Sequence, residues 1–182
     1  ELLSSQVERC DEILKRLTLN PVEEDSFIDK DISMKEYLSE IISSFNEISK
    51  KNFIFNYDQY SNEKKFTKSI EIVYGLRNFI GNANKFSKEN VYINLKSDSV
   101  ITEITIEDDG NGYPRDILSK IGEPYLKSND NVEKSKIGLG LGLFIGKTLL
   151  EKNFATVRCR NSKTRSGAEV IIKWKNNDLF NI

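Results

Sequence analysis

The sequence contains no histidine, two cysteines, three prolines, one methionine and one tryptophan. Without an imidazole, the chain itself supplies no histidine base or nucleophile and none of the nitrogen ligands usual in zinc sites. Cys10 and Cys159 stand far apart, so neither a disulfide framework nor a cysteine metal cluster is expected, and a reducing, cytoplasmic setting is favoured. No run approaches the roughly 20 apolar residues of a membrane-spanning helix, and no signal-peptide pattern is present. An excess of one charge is also lacking. The 27 Lys and Arg against 28 Asp and Glu give a formal net charge of -1, without the clustered basic face of a nucleic-acid binder.

What is present is 182 residues with 38% apolar and 30% charged content, enough for one substantial core with an appendage. Opening on Glu1, the chain is expected to be a piece of a longer protein. Leu3, Val7, Cys10, Leu14 and Leu17 recur in heptad spacing, a narrow seam that wants a partner helix. The pattern stops at Asn20 and Pro21, because proline disfavours helix at the residue before it. This divides the chain into a helix over 1–19, a linker over 20–26, a main domain over 27–176 and a tail over 177–182.

Within the main domain, Met34, Tyr37, Leu38, Ile41, Ile42, Phe45 and Ile48 form a broad amphipathic stripe, with Ser33 and Glu36 as a capping box. "NFIFNYD" reads as a strand, Ser69 to Phe86 as a helix, and "VYINLKS" and "VITEITIED" as paired alternating strands. "PRDILSKIG" has proline where a helix begins. Residues 126–137 are polar and read as a mobile loop. "LGLFIGKTLLEK" is helical, and "FATVRCR" and "AEVIIKW" close the domain as strands. Helices and strands mix without strict alternation, which predicts an α+β two-layer sandwich, a mixed sheet covered by helices on one face.

Three clusters carry candidate chemistry. In "GLRNFIGNANKFS", Asn78, Asn82 and Lys85 align along one side of a helix that is apolar over most of its remaining surface. As an isolated trio they would be a solvated face; the near-encircling apolar surface favours a wet cavity instead. In "IEDDGNGYP", Asp108, Gly110 and Gly112 follow a strand directly. That is a common kind of turn, but also one that lets backbone approach a ligand while the carboxylate accepts from an amino group. In "KIGLGLGLFIGKT", Gly138, Gly140 and Gly142 open a helix, where backbone donors can meet phosphate. The spacing fits neither a P-loop nor a dinucleotide fingerprint, since Leu141, Leu143 and Ile145 stand where those motifs need glycine.

In this order and spacing the clusters resemble the N box and the two glycine boxes of the histidine-kinase catalytic domain, one of the GHKL ATPases with the Bergerat fold. "GEPY" is similar to a reduced F box with one aromatic, and "SGAEVIIKW" to the final strand pair with its glycine, although Ala168 replaces the usual threonine. The resemblance covers roughly residues 27–175 and implies ATP and Mg2+ as ligands. It implies that Asn82 coordinates magnesium and that Asn78 and Lys85 help hold the polyphosphate. Asp108 would accept from the adenine amino group, with Gly110 and Gly112 shaping the pocket. Gly138, Gly140 and Gly142 would hinge a lid over 122–137, in which Tyr125 and Lys127 pack on or pair with nucleotide.

Related hydrolases of the superfamily place a glutamate one turn before the magnesium asparagine; here that position is Asn78, and an amide is a poor base. Slow hydrolysis and transfer to an external nucleophile are therefore expected. The heptad helix is similar to the second helix of a kinase dimerisation and phosphotransfer domain, whose acceptor histidine this chain lacks, so no autophosphorylation is expected from it alone. "QVERCDEILKRL", "GEPY" and "FIGKTLLEK" most resemble the RegB/PrrB type of redox-responsive kinase, which makes Cys10 a redox candidate; equally, Cys10 reads as a small hydrophobe in the seam. Cys159, on a strand, reads as core. The resemblance further implies a response regulator as partner, a homodimer in the full-length protein, and a parent anchored upstream in a bacterial inner membrane. A non-catalytic nucleotide-binding module and an anti-sigma-type serine kinase remain alternatives.

Overall fold

The computed structural model describes residues 31–58, 65–67, 69–118, 120–121, 123 and 141–179. The heptad helix with Cys10, the linker, the polar stretch 126–137, and Tyr125, Lys127, Gly138 and Gly140 lie outside the described residues.

A short strand β1 (Asp31–Ser33) leads into helix α1 (Met34–Asn46), with strands β2 (Asn52–Tyr57) and β3 (Lys65–Thr67) after it. The Ser33 hydroxyl accepts from Glu36 N at 3.3 Å while Ser33 N donates to the Glu36 carboxylate at 2.9 Å, forming the expected capping box. Met34, Tyr37, Leu38, Ile41 and Ile42 are buried as the stripe requires. Ile48 departs from that expectation. The helix ends at Asn46 and the amides of Ile48 and Ser49 both fold back on Phe45 O, turning the chain outward and leaving Ile48 76% exposed. The antiparallel pairing of β1 with β3 is a further element not expected from the sequence. It buries Phe66 edge-on against Tyr37, with ring centroids 5.5 Å apart.

Helix α2 (Ile70–Phe86) starts at Ser69, whose hydroxyl caps Ile72 N and whose carbonyl accepts from the Tyr37 hydroxyl at 2.5 Å. Ile72, Val73, Leu76, Phe79, Ile80 and Ala83 face the core. Phe86, read as part of the apolar surround, is instead 47% exposed with the Lys85 ammonium 5.3 Å from its ring centroid.

Strands β4 (Asn90–Ser97) and β5 (Ile101–Asp108), the short helix α3 (Arg115–Leu118), helix α4 (Gly142–Lys152), strands β6 (Thr156–Asn161) and β7 (Ala168–Lys175), and the final turn α5 (Asn176–Leu179) complete the described elements. The main sheet has five strands in the order β2-β4-β5-β7-β6. Only β2 and β4 run parallel, so the sheet is mixed.

Register sorts the two faces. One row runs Phe55, Ile93, Ile106, Val170 and Cys159, and the next includes Leu95, Ile104, Ile172 and Val157. These rows pack with α1, α2 and α4 into one core, where each fully buried Ile or Leu is worth about 1.5–3 kcal/mol. The opposite face carries cross-strand ion pairs, Lys173 with Glu103 at 2.5 Å and Arg160 with Glu169, and Arg165 reaches Glu107 at 3.0 Å. Charges on that face explain why the described helices α1, α2 and α4 pack on the other one. Among the described residues, no helix is long and apolar enough to cross a membrane.

Candidate functional site

Helices α2 and α4 cross closely because small residues meet. A Cβ on Gly75 would lie 2.6 Å from Leu150 Cγ, and one on Gly146 would lie 3.1 Å from Asn78 Cβ. The crossing turns Asn78 and Asn82 toward the start of α4. A Cβ on Gly142 would stand 3.5 Å from Asn78 Oδ1 and 3.4 Å from Asn82 Nδ2. Among the described residues no side chain caps the N-terminus of α4, so its first amides and positive dipole end suit an anion.

The two asparagines differ. Asn78 donates from Nδ2 to Tyr74 O at 2.8 Å, which leaves its oxygen facing Gly142. Asn82 Nδ2 is buried and has no hydrogen-bond partner among the described residues. A buried polar atom left alone costs about 1–3 kcal/mol. Rotating the amide presents an oxygen in the same position, the hard donor a magnesium ion accepts, so the residue fits that ion. Lys85 is exposed on the same side of α2, one turn along. Arg77, by contrast, faces α1, donating to Ser44 Oγ at 3.0 Å and lying 5.5 Å from the Phe45 ring centroid.

The glycine loop follows β5 and passes the C-terminal end of α2. Asp108 is only 3% exposed, and its Oδ1 accepts from Gly110 N at 2.8 Å and Ala168 N at 3.2 Å. Its other oxygen takes no hydrogen bond from a described residue. Burial raises the pKa of Asp108, against the opposing pull of those two amides. A Cβ on Gly110 would fall 2.2 Å from Phe86 O, and one on Gly167 only 1.8 Å from Asp108 O. Both positions therefore exclude every side chain. Gly112 adds a positive φ of 74°. Since Phe86 follows Asn82 by one helical turn, about 6 Å of rise, a single helix sets the relative placement of both ends.

Of the expected site residues, Asn78, Asn82 and Gly142 come together, and Asp108, Gly110 and Gly112 form the neighbouring loop. Tyr125, Lys127, Gly138, Gly140 and Cys10 lie outside the described residues. Three further residues shape the loop. Gly167 was visible only as the glycine of the final strand pair, Asp109 was hidden inside the glycine motif, and Asn161 carried no signal. Cys159 sits partly buried against the core, and burial pushes its thiol up to about 11, so it stays protonated near neutrality. Burial likewise raises the neighbouring Tyr113 phenol well above its ordinary value.

Residues 67–178 match the family described as Histidine kinase-, DNA gyrase B-, and HSP90-like ATPase, and the chain belongs to that family. Within it, the described region is an ATP-binding catalytic domain of the sensor histidine kinase type. The sensor histidine kinase RegB of Cereibacter sphaeroides is 30% identical over 170 residues, a match covering 89% of this chain and 36% of the relative. The chain thus spans about a third of that relative's length. Among solved structures, the mycobacterial sensor histidine kinase MprB has a TM-score of 0.65 at 20% identity, covering 80% of this chain and 97% of that one. Full-length ShkA in complex with AMPPNP gives a TM-score of 0.63 at 20% identity, covering 80% of this chain and 30% of that one. At such identities the likeness concerns the fold.

Proposed function

We propose that this chain transfers the γ-phosphate of ATP to a histidine carried on another segment or chain, for relay to a response regulator. The observation that carries the reading is the convergence of Asn78 and Asn82 on the start of α4, where among the described residues no side chain caps the helix and one buried amide has no partner. Asn82 holds magnesium and Lys85 and Asn78 hold the polyphosphate, while the α4 amides take phosphate oxygens. Magnesium supplies neutralisation of the phosphate charge. Asp108 accepts from the adenine amino group in the pocket shaped by Gly110 and Gly112. Tyr125, Lys127 and the hinge glycines Gly138, Gly140 and Gly142 belong to a lid over the nucleotide.

The side chains support transfer over hydrolysis. Asn78 stands one turn before Asn82, where a base would have to activate water. Its amide oxygen has negligible basicity and its nitrogen is committed to Tyr74 O. Positioning and charge neutralisation suffice for phosphoryl transfer when the nucleophile comes from elsewhere. With no histidine in the sequence, the acceptor belongs to another segment. By the same reading the parent is a membrane-anchored dimeric sensor with this domain in the cytoplasm, and Cys10 is a candidate redox sensor in its dimerisation helix.

The test is complementation. The chain is mixed with labelled ATP, magnesium and a dimerisation domain bearing the acceptor histidine, and acid-labile phosphohistidine is measured. Transfer is expected; ATP binding without transfer would favour a non-catalytic nucleotide-binding module.

A further inference from the structure

The loop after β5 is fastened at both ends by side chains outside the nucleotide-site residues named above. At its start, the Asp109 carboxylate accepts from Lys88 N at 2.7 Å, Glu89 N at 3.1 Å, Asn90 N at 2.9 Å and Asn90 Nδ2 at 3.0 Å. That bundle ties the loop to the turn between α2 and β4. At its far end, Asn161 Oδ1 accepts from Tyr113 N at 2.6 Å while Asn161 Nδ2 donates to Tyr113 O at 3.0 Å. One side chain thus satisfies both backbone groups of Tyr113, as a neighbouring strand would. The same amide packs on Gly112, where a Cβ would stand 2.7 Å from Asn161 Oδ1.

Asn161 also stands in register with Ala168 at the end of the β6–β7 ladder. Ala168 N donates to Asp108 Oδ1 at 3.2 Å. Asn161 therefore faces Ala168, the donor to Asp108, across the ladder without a bond between them, and its amide holds the loop directly through Tyr113 beside Gly112. We propose that Asn161 is a positioning residue for purine recognition, holding the glycine loop in its ligand-accepting shape before nucleotide arrives. The inference rests on the reading of Asp108 and its loop as the adenine end of the site.

An amide is the side chain this geometry selects. Aspartate at 161 keeps an acceptor for Tyr113 N but sets a second acceptor against Tyr113 O. Alanine removes both bonds. Neither change touches the residues assigned to phosphate, so a positioning role and a general folding role separate by which part of the nucleotide is affected.

The experiment measures binding of the magnesium complexes of a nonhydrolysable ATP analogue, of the GTP analogue and of inorganic tripolyphosphate by calorimetry. Wild type, Asn161→Ala and Asn161→Asp are compared at a temperature well below each melting midpoint. Both variants are expected to weaken the ATP analogue at least tenfold and leave tripolyphosphate within twofold, so the preference for adenine over guanine collapses. In an Asp108→Ala background, Asn161→Ala is expected to add little. Aspartate keeps the size of asparagine and one of its bonds, so it carries the comparison should the alanine variant unfold. Unchanged adenine preference, or an equal loss for all three ligands, overturns the inference. A wild type that binds no adenine nucleotide removes the reading of the site and this inference with it, whereas intact wild-type binding with unmoved variants removes this inference alone.

Discussion

The two ends of the site are built on opposite terms. Around Asp108 a net of bonds already fixes the backbone of the loop: Oδ1 of Asp108 takes two amides, Asp109 takes its own set, and Asn161 grips Tyr113 from both sides, leaving the second Asp108 oxygen for a ligand. Around Asn82, among the described residues, an amide nitrogen is buried without a partner and α4 begins without a cap. The protein fixes the backbone shape of one end by itself and leaves the other electrostatically unfinished. A bonded end favours shape and discrimination, because it is rigid before binding. An unfinished end favours charge, because a cation or phosphate satisfies groups that otherwise carry a desolvation cost.

That contrast predicts that substitutions at the two ends move stability in opposite directions. The largest effect is expected from Gly167→Ala. Its Cβ would overlap the Asp108 carbonyl, a backbone atom that cannot yield, so a loss of about 3 kcal/mol or more should appear in urea unfolding. A change below about 1 kcal/mol would mean the glycine-loop end is not rigid. Asp108→Ala comes next. It strands the amides of Gly110 and Ala168, and should cost roughly 2 kcal/mol while removing the preference for adenine.

Asn82→Ala should do the reverse. Deleting an unpartnered buried amide is expected to leave stability unchanged or raise it by about 1 kcal/mol, while magnesium-dependent nucleotide binding disappears. Equal destabilisation at positions 82 and 108 would erase the contrast. Phe154 offers a control outside both ends, being 64% exposed at the close of α4 with a φ of 63°. Left-handed backbone costs a non-glycine residue roughly 1 kcal/mol, so Phe154→Gly should raise the thermal midpoint without altering nucleotide affinity.

The smallest effect concerns acid. Burial alone would raise the pKa of Asp109, but the donors from Glu89, Asn90 and Lys88 together hold it below the ordinary 3.8. Its contribution to stability is therefore present above about pH 4 and lost as pH falls through the lower folded-state value. Acid unfolding curves of wild type and Asp109→Asn should converge in that window; a constant gap would place the carboxylate's role elsewhere.

Much of this was legible in the sequence wherever a pattern repeats. The capping box at Ser33, the stripe of α1 and the alternation of β4 and β5 follow from local periodicity, and the order of the motifs gave the family resemblance. Asn82 was also readable, because a polar stripe on an otherwise apolar helix needs a reason. The β1–β3 pair was not, since three-residue strands hold too little alternation to register. Ile48 misled because its spacing fits the stripe while the turn at Phe45 is set by backbone bonds that spacing does not encode. Asn161 was invisible for a different reason. Its role depends on Tyr113, 48 residues away in sequence, and no local pattern marks an asparagine at a strand end.

The central claim, that one helix joins a phosphate end at Asn82 to a purine end at Asp108, is tested most directly by NMR titration of the chain with a nonhydrolysable ATP analogue and magnesium. The account predicts that the Asn82 side-chain amide signals and the Gly110 and Ala168 backbone amides all shift along one saturating curve, and that withholding magnesium suppresses the Asn82 response first. Shifts confined to one end, or two curves with different midpoints, would contradict it.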